Sequence, residues 1–500
     1  MLLLDITIVN IALPDLVKSL HASFSDLQWV IDAYALSLAA LMLIAGSLGD
    51  LAGARAVFLA GLAVFCISSL LCGLAQDPAF LITFRAVQGI GGAAMFATSL
   101  ALLAHEFHGR DRGVALGAWG ATAGVAVAVG PLVGGALTSG ISWRWIFLIN
   151  VPIGVLAFAA TLLRVREAPR RPGVRPDWAG FVLFSGAMVA GVYALIRGNA
   201  DGWHSTTILA AFAACAVLLA AFLITEARSR QPMLDLSLFR NPALVGASIG
   251  ALAISATIFS VLLYLTLYLQ DILRYSAFGT GLRFLPLSLC ILLAAPVSGR
   301  LSAHVPQRVL VGGGLVLIAV GLGLMTAVSA ASGWTALLAG MIVSGVGSGL
   351  VNPALASAAV GSVSPDRAGV GSGINNTFRQ LGIAVGIAGL GAIFTSRERS
   401  AFVADLVARD PRLAGRAHAL AGSLTSGGAG SHGAGGQAGH AIELATRAAF
   451  VSGLDRILWV AAIGAAVGAV LSTALLRTRS ISSEPGLATA DEEEPVRRAA

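Results

Sequence analysis

Long apolar runs follow one another almost from end to end of this chain, separated by short stretches where Arg, Asp, Asn, Gly and Pro collect. Each run is long enough for a helix to cross a hydrocarbon core ~30 Å thick. None shows the alternating ten-residue pattern of an outer-membrane barrel. The runs predict fourteen transmembrane helices, at 1–20, 27–48, 56–75, 79–103, 113–138, 145–164, 178–198, 206–225, 242–269, 277–299, 309–330, 334–360, 369–395 and 450–476. The expected fold class is an all-α polytopic membrane protein.

Composition agrees: 57% hydrophobic, only 11% charged, and a mean hydropathy of +0.84. A soluble globule carries about a quarter charged residues. The net charge of +7 is not a nucleic-acid signal, because the arginines lie in short loops between spans. With a cytoplasmic N-terminus, inside loops hold fourteen basic residues and the short outside loops five (Lys18, Arg144, Arg197, Arg274, Arg283). The positive-inside rule then places both termini in the cytoplasm of a cell-membrane protein. The four cysteines (Cys66, Cys72, Cys215, Cys290) fall within apolar runs without a C-x-x-C, implying neither disulfide nor metal.

Three stretches read as lying outside the membrane. Residues 165–177 form a basic, Pro-bearing cytoplasmic linker, 397–449 a long outside loop with a Gly/Ser/Ala-rich middle, and 477–500 a disordered, acidic cytoplasmic tail. The first span begins at Met1 with no basic flank, which points to a start codon assigned late or to a short, tilted first helix.

An internal repeat organises the spans. Gly46–Arg55 after span 2 answers to Gly299–Arg308 after span 10, Gly89-Ile90-Gly91 to Gly345-Val346-Gly347, and Arg112 to Arg367, at offsets of 253, 256 and 255. Two six-helix halves, 1–164 and 242–476, are therefore expected, with two helices (178–226) inserted between them. Transporters built from such repeats hold their solute at the midplane between the halves.

Asp5 and Arg85 carry the chemistry. A charge at the centre of a span costs roughly 2.5–3.5 kcal/mol on insertion scales and is kept for a reason. Arg85, about six residues inside span 4, either snorkels to the outer surface or, with Gln88 one turn on and near the same face, looks inward and forms a buried ion pair with Asp5 of span 1. Burial and a nearby cation act oppositely on a carboxylate, so its proton occupancy can be switched. Asp32, in the second turn of span 2, is either a dipole-stabilised acid or a second titrating site. Asn375, Asn376, Arg379 and Gln380 in span 13 are dense enough to predict a wet cavity, which Asn10, Tyr34 and Gln88 would also line. In span 5, Gly113, Gly117, Gly120 and Gly124 share a face and Gly130-Pro131-x-x-Gly134-Gly135 follows; the run is either a packing seam or a bendable seal. No G-K-[ST] motif exists, so ATP is not bound through a P-loop, and no cofactor or metal is expected.

Leu4-Asp5-x-Thr7-Ile8-Val9-Asn10-x-Ala12-Leu13-Pro14, the loop from Gly46 to Arg55, Arg85-x-x-Gln88-Gly89 and the Gly130–Gly135 run together resemble the major facilitator superfamily. The resemblance is to its fourteen-helix drug:proton antiporter branch, the EmrB/QacA type. It implies two six-helix bundles rocking around a cavity, proton coupling at the Arg85 position, an exporter's span 5, and a gate at Gly46, Asp50, Gly53 and Arg55. Leu51 and Ala54 depart from the usual basic pattern of that loop, and Ala303 stands where the second copy should repeat Asp50. The expected function is proton-coupled export of lipophilic, often cationic or amphiphilic molecules by a monomeric transporter acting on substrate and protons in the bilayer, not an enzyme. Export of one metabolite, or a non-transporting sensor or scaffold, are the alternatives.

Overall fold

The computed structural model describes residues 1–476 except 107–121, 123–125, 127–128, 168–176, 230–231, 233, 303, 327, 330–331, 364–367 and 426–435. The expected linker, the tail and the middle of the 397–449 segment thus fall largely or wholly outside the described residues, as do Gly113, Gly117, Gly120 and Gly124.

Within them the chain is almost entirely helical. In chain order the helices are α1 (Leu2–Leu20), α2 (Phe24–Ala52), α3 (Ala54–Gly73), α4 (Pro78–Glu106), α5 (described over 129–140) and α6 (Trp145–Arg164). Then come α7 (Trp178–Asp201), α8 (Thr206–Arg228), α9 (Pro242–Ile272), α10 (Ala277–Leu301), α11 (Gln307–Met325) and α12 (Trp334–Gly361). The last are α13 (Ala368–Arg409), α14 (Ala414–Thr425) and α15 (Gly436–Leu475). Eleven described helices are long and apolar enough to cross a membrane. α1 is not among them: Asp5, Asp15 and Lys18 are spread along its 19 residues.

Polar residues at the boundaries of the runs do the starting and stopping. Ser23 and Asp26 form a reciprocal capping box at the start of α2, and Asp177, Ser205, Asn241 and Ser276 cap α7, α8, α9 and α10. α2 ends at Gly53, whose φ of 104° suits glycine and lets α3 begin at the next residue.

α2, α3, α4 and α6 pack together near the N-terminus, and α9–α13 with α15 form the second group. Corresponding glycines hold both. A Cβ on Gly91 of α4 would lie 2.6 Å from the Gly61 carbonyl of α3, and one on Gly347 of α12 2.5 Å from the Gly314 carbonyl of α11. Each site lets two backbones touch, so the sequence repeat recurs as a packing repeat. α7 pairs with α8 and lies against both α2 and α13, so the inserted pair contacts both groups. α8 turns Leu209, Val217, Leu223 and Ile224 outward, as a lipid-facing helix must.

One expectation needs correction: the 397–449 segment is largely helix where it is described. α13 runs on for 42 residues, about 63 Å at 1.5 Å per residue, twice the hydrocarbon thickness. Its far end packs on α14 and the start of α15 through Phe402, Leu406, Ala417, Ala421, Ile442 and Ala445. Those apolar residues recur every three or four positions, a helical period that the Gly/Ser-rich middle obscured.

Candidate functional site

Asp5, one turn into α1, is 1% exposed, and Arg85 on α4 is buried to the same degree. Their side chains pair directly, Arg85 Nη1 to Asp5 Oδ2 at 2.6 Å. Arg85 also donates through Nε to the Val30 carbonyl of α2 (3.0 Å) and through Nη1 to Gln88 Oε1 (2.8 Å). The other carboxylate oxygen, Asp5 Oδ1, accepts from Gln88 Nε2 (3.2 Å) and Asn150 Nδ2 (3.3 Å). Both amides further donate to Ser69 Oγ at 3.1 Å, and Ser69 donates to the Phe147 carbonyl. The Tyr34 ring lies 4.3 Å from the guanidinium carbon, so the cation meets an aromatic face as well as its carboxylate. Five helices, α1, α2, α3, α4 and α6, thus meet at one charged pair.

The sequence pointed to Asp5, Arg85, Gln88 and Tyr34, and the fold brings them together. It did not point to Ser69 or Asn150. An amide inside the apolar start of span 6 was the available signal for Asn150. Asp32 sits apart from this network: it is fully buried, and neither carboxylate oxygen has a hydrogen-bond partner among the described residues.

Two cavities lie along α1, and one of them touches Arg85. The larger lies between the two helix groups and is lined by Thr7, Asn10 and Pro131 on one side and by Ile258, Phe284 and Ser348, among others, on the other. The smaller touches Tyr34, Arg85 and Gln380. The span-13 polar group divides. Gln380 reaches the smaller cavity, while Asn375 Nδ2 donates to the Ala247 carbonyl of α9 at 3.3 Å, a helix–helix bond. Asn376 donates to Ser372 on its own helix, and Arg379 donates to Asn352 Oδ1 of α12 at 2.6 Å.

At the end of the bundle where α1 turns into α2, at His21, the groups are pressed together. A Cβ on Gly135 would meet the Ala277 carbonyl at 2.6 Å, and one on Gly281 the Pro131 carbonyl at 2.5 Å. Gly134 is as close to Ile8 (2.9 Å to its carbonyl), and Gly130 abuts the Thr7 hydroxyl. Gln270 Nε2 donates to the Ile11 carbonyl (2.8 Å) and Gln28 Nε2 to that of Ile387 (3.0 Å), both across the groups. At the opposite end, Gly46 and Asp50 lie in the last turns of α2. Arg55 is tied by its backbone N–H to Glu167 (3.0 Å) and by Nη2 to the Leu162 carbonyl (2.5 Å). The Glu167 carboxylate also fills the space beside Gly53.

Residues 1–387 match the family model for the Major Facilitator Superfamily. The chain is 36% identical over 397 residues to multidrug resistance protein Stp of Mycobacterium tuberculosis, covering 79% of this chain and 74% of that protein. It is 34% identical to the tetracenomycin C resistance and export protein of Streptomyces glaucescens, covering 80% and 75%. A solved bacterial homolog of the human lysosomal transporter Spinster shares the fold at a TM-score of 0.61 and 16% identity, over 95% of this chain and 94% of that one. The chain belongs to the major facilitator superfamily. It is a multi-pass membrane transporter, not an enzyme.

Proposed function

We propose that this transporter is a proton-coupled exporter of lipophilic or amphiphilic small molecules, working by alternating access as a fourteen-helix antiporter. The observation that carries the reading is the Asp5–Arg85 pair, closed to solvent inside the first helix group and ringed by Gln88, Asn150 and Ser69. A scaffold protein would have no reason to retain two opposite charges there, given what each costs in a membrane.

A proton arriving on an Asp5 oxygen neutralises the group that holds Arg85. The guanidinium keeps the Val30 carbonyl, Gln88 and the Tyr34 face but loses its counter-ion. Relieving that uncompensated charge favours a different arrangement of α1 against α4, and α1 also lines the larger cavity through Thr7 and Asn10. Proton occupancy and cavity shape are then two readouts of one helix. Each cycle takes a proton from the outer side, releases it to the cytoplasm, and carries substrate the other way. The glycine seam of α5 against α10 seals the His21 end in this state, and Asp32 is a second candidate for titration. The protein acts as a monomer in the cell membrane with both termini cytoplasmic.

Stp and the tetracenomycin C protein are named for drug resistance and export, which supports this substrate class. The deciding experiment is reconstitution in vesicles with an imposed pH gradient. Drug-dependent proton release, abolished by Asp5→Asn, is expected; drug movement with no accompanying proton flux would remove the coupling.

A further inference from the structure

Arg379 stands on α13 eleven residues from Ala368, the first residue of that helix, about 16 Å along the axis and beyond easy reach of the membrane surface. It differs from Arg85 in two ways. No carboxylate lies within ion-pair distance of it among the described residues, and it is half-buried rather than closed off. Its side chain donates through Nη1 to Asn352 Oδ1, at 2.6 Å. Asn352 in turn donates to the carbonyl of Ser348, one helical turn earlier on α12. Ser348 is 1% exposed, lines the larger cavity, and its hydroxyl has no hydrogen-bond partner among the described residues. A cation held by an amide thus leads, within one helical turn, to an unused hydroxyl at the cavity wall. The rest of that wall includes Phe259, Leu262, Phe284 and Ile291, all apolar.

A guanidinium with several N–H donors and no counter-ion suits a planar or tetrahedral oxyanion, which it can hold with parallel bonds. We propose that Arg379, Asn352 and Ser348 form a subsite for the acidic group of an amphiphilic substrate, a carboxylate, sulfonate or phosphate, whose apolar body lies along the apolar wall that Ser348 shares. The inference rests on the exporter reading and narrows its substrate class to molecules bearing an anionic group. In the bound state the acid supplies the counter-charge that Arg379 lacks, and Asn352 keeps the guanidinium pointed at it. Recognition of this kind couples affinity to the presence of charge on the ligand and not only to its oil solubility.

The test is equilibrium binding of a matched pair of fluorescent probes, dansyl-aminoundecanoic acid and its methyl ester, to the full chain in phosphatidylcholine nanodiscs without any gradient. Wild type should bind the acid about tenfold more tightly than the ester, the worth of one charge-assisted bond. Arg379→Gln should abolish that preference by weakening the acid alone, while Arg379→Lys, which keeps charge and fold, should retain part of it. Equal binding of acid and ester to wild type would overturn the proposal, as would equal weakening of both probes in Arg379→Gln. Nanodiscs containing phosphatidylglycerol separate two sources of the same chemistry. A preference that persists there assigns the subsite to substrate, whereas one lost there and present in phosphatidylcholine reassigns the cation to a lipid phosphate. Because no proton gradient is used, failure of coupled export leaves this result standing, and failure here leaves coupled export intact.

Discussion

Replacing Asp5 by Asn preserves shape and one acceptor oxygen but leaves Arg85 as a buried cation without its anion. Breaking a buried pair from one side costs about 3–5 kcal/mol. The Val30 carbonyl, Gln88 and the Tyr34 ring all remain in place around the guanidinium, so the low end, about 3 kcal/mol, is expected. With an unfolding entropy near 2.1 cal/mol/K per residue, a chain of 500 residues loses about 3 °C in Tm for that change. Asp5→Asn is thus expected to insert into the membrane at least as well as wild type, because it removes a charge, yet to be measurably less stable once folded. Arg85→Gln should show a loss of similar size, from the carboxylate it strands. The double variant Asp5→Asn/Arg85→Gln has no charge left to strand, and its amides can bond Gln88 and Asn150. It should recover most of the lost stability, giving a coupling free energy of about 5–6 kcal/mol in a double-mutant cycle, since two single losses of about 3 kcal/mol each nearly vanish together. Thermal unfolding in detergent measures this, and drug export driven by a pH gradient is followed in parallel. All three variants should fail to export although the double variant is nearly as stable as wild type. A double variant no more stable than its parents would show that the pair does not hold this site together. Wild-type export by Asp5→Asn would remove the carboxylate from the mechanism.

Asn150→Ala removes the donors to Asp5 Oδ1 and Ser69 at once, and should cost about 1–3 kcal/mol while shifting the pH at which export is half-maximal; an unmoved pH profile would leave Asn150 as packing only. Asp32→Asn exchanges a buried carboxylate with unpartnered oxygens for a neutral amide, so Tm should hold or rise while the pH dependence of export flattens; an unchanged profile would assign Asp32 to the α2 dipole alone. Gly135→Leu cannot fit against Ala277 and Phe278, whose nearest atoms lie 2.6 Å and 2.9 Å from the first added carbon. It should open the His21 end, making Asn10→Cys, in a background without the native cysteines, react several times faster with an impermeant thiol reagent added from that side. Equal labelling rates would mean that this seam is not what closes the cavity.

The apolar runs by themselves determined that this is a bundle of membrane helices, because a span must be about twenty residues long and must satisfy its own backbone. The same logic singled out Asp5, Arg85 and Gln88: a polar group is expensive in lipid, so its presence is informative without any knowledge of its neighbour. What sequence could not supply was the neighbour. Asn150 lies 145 residues from Asp5, and only the packing of α6 against α3 sets its amide between that carboxylate and the Ser69 hydroxyl. Asn375 and Gln380, five residues apart on one helix, looked alike as cavity residues. Their fates differ because a rotation about α13 carries one amide to a carbonyl of α9 and the other to a cavity. The helical extension of α13 escaped notice for a related reason, since its apolar positions gain meaning only once α14 folds back to cover them. Burial cost is a property of one residue and can be read along a chain. Pairing is a property of two, and it exists only where the tertiary structure has set their helices side by side.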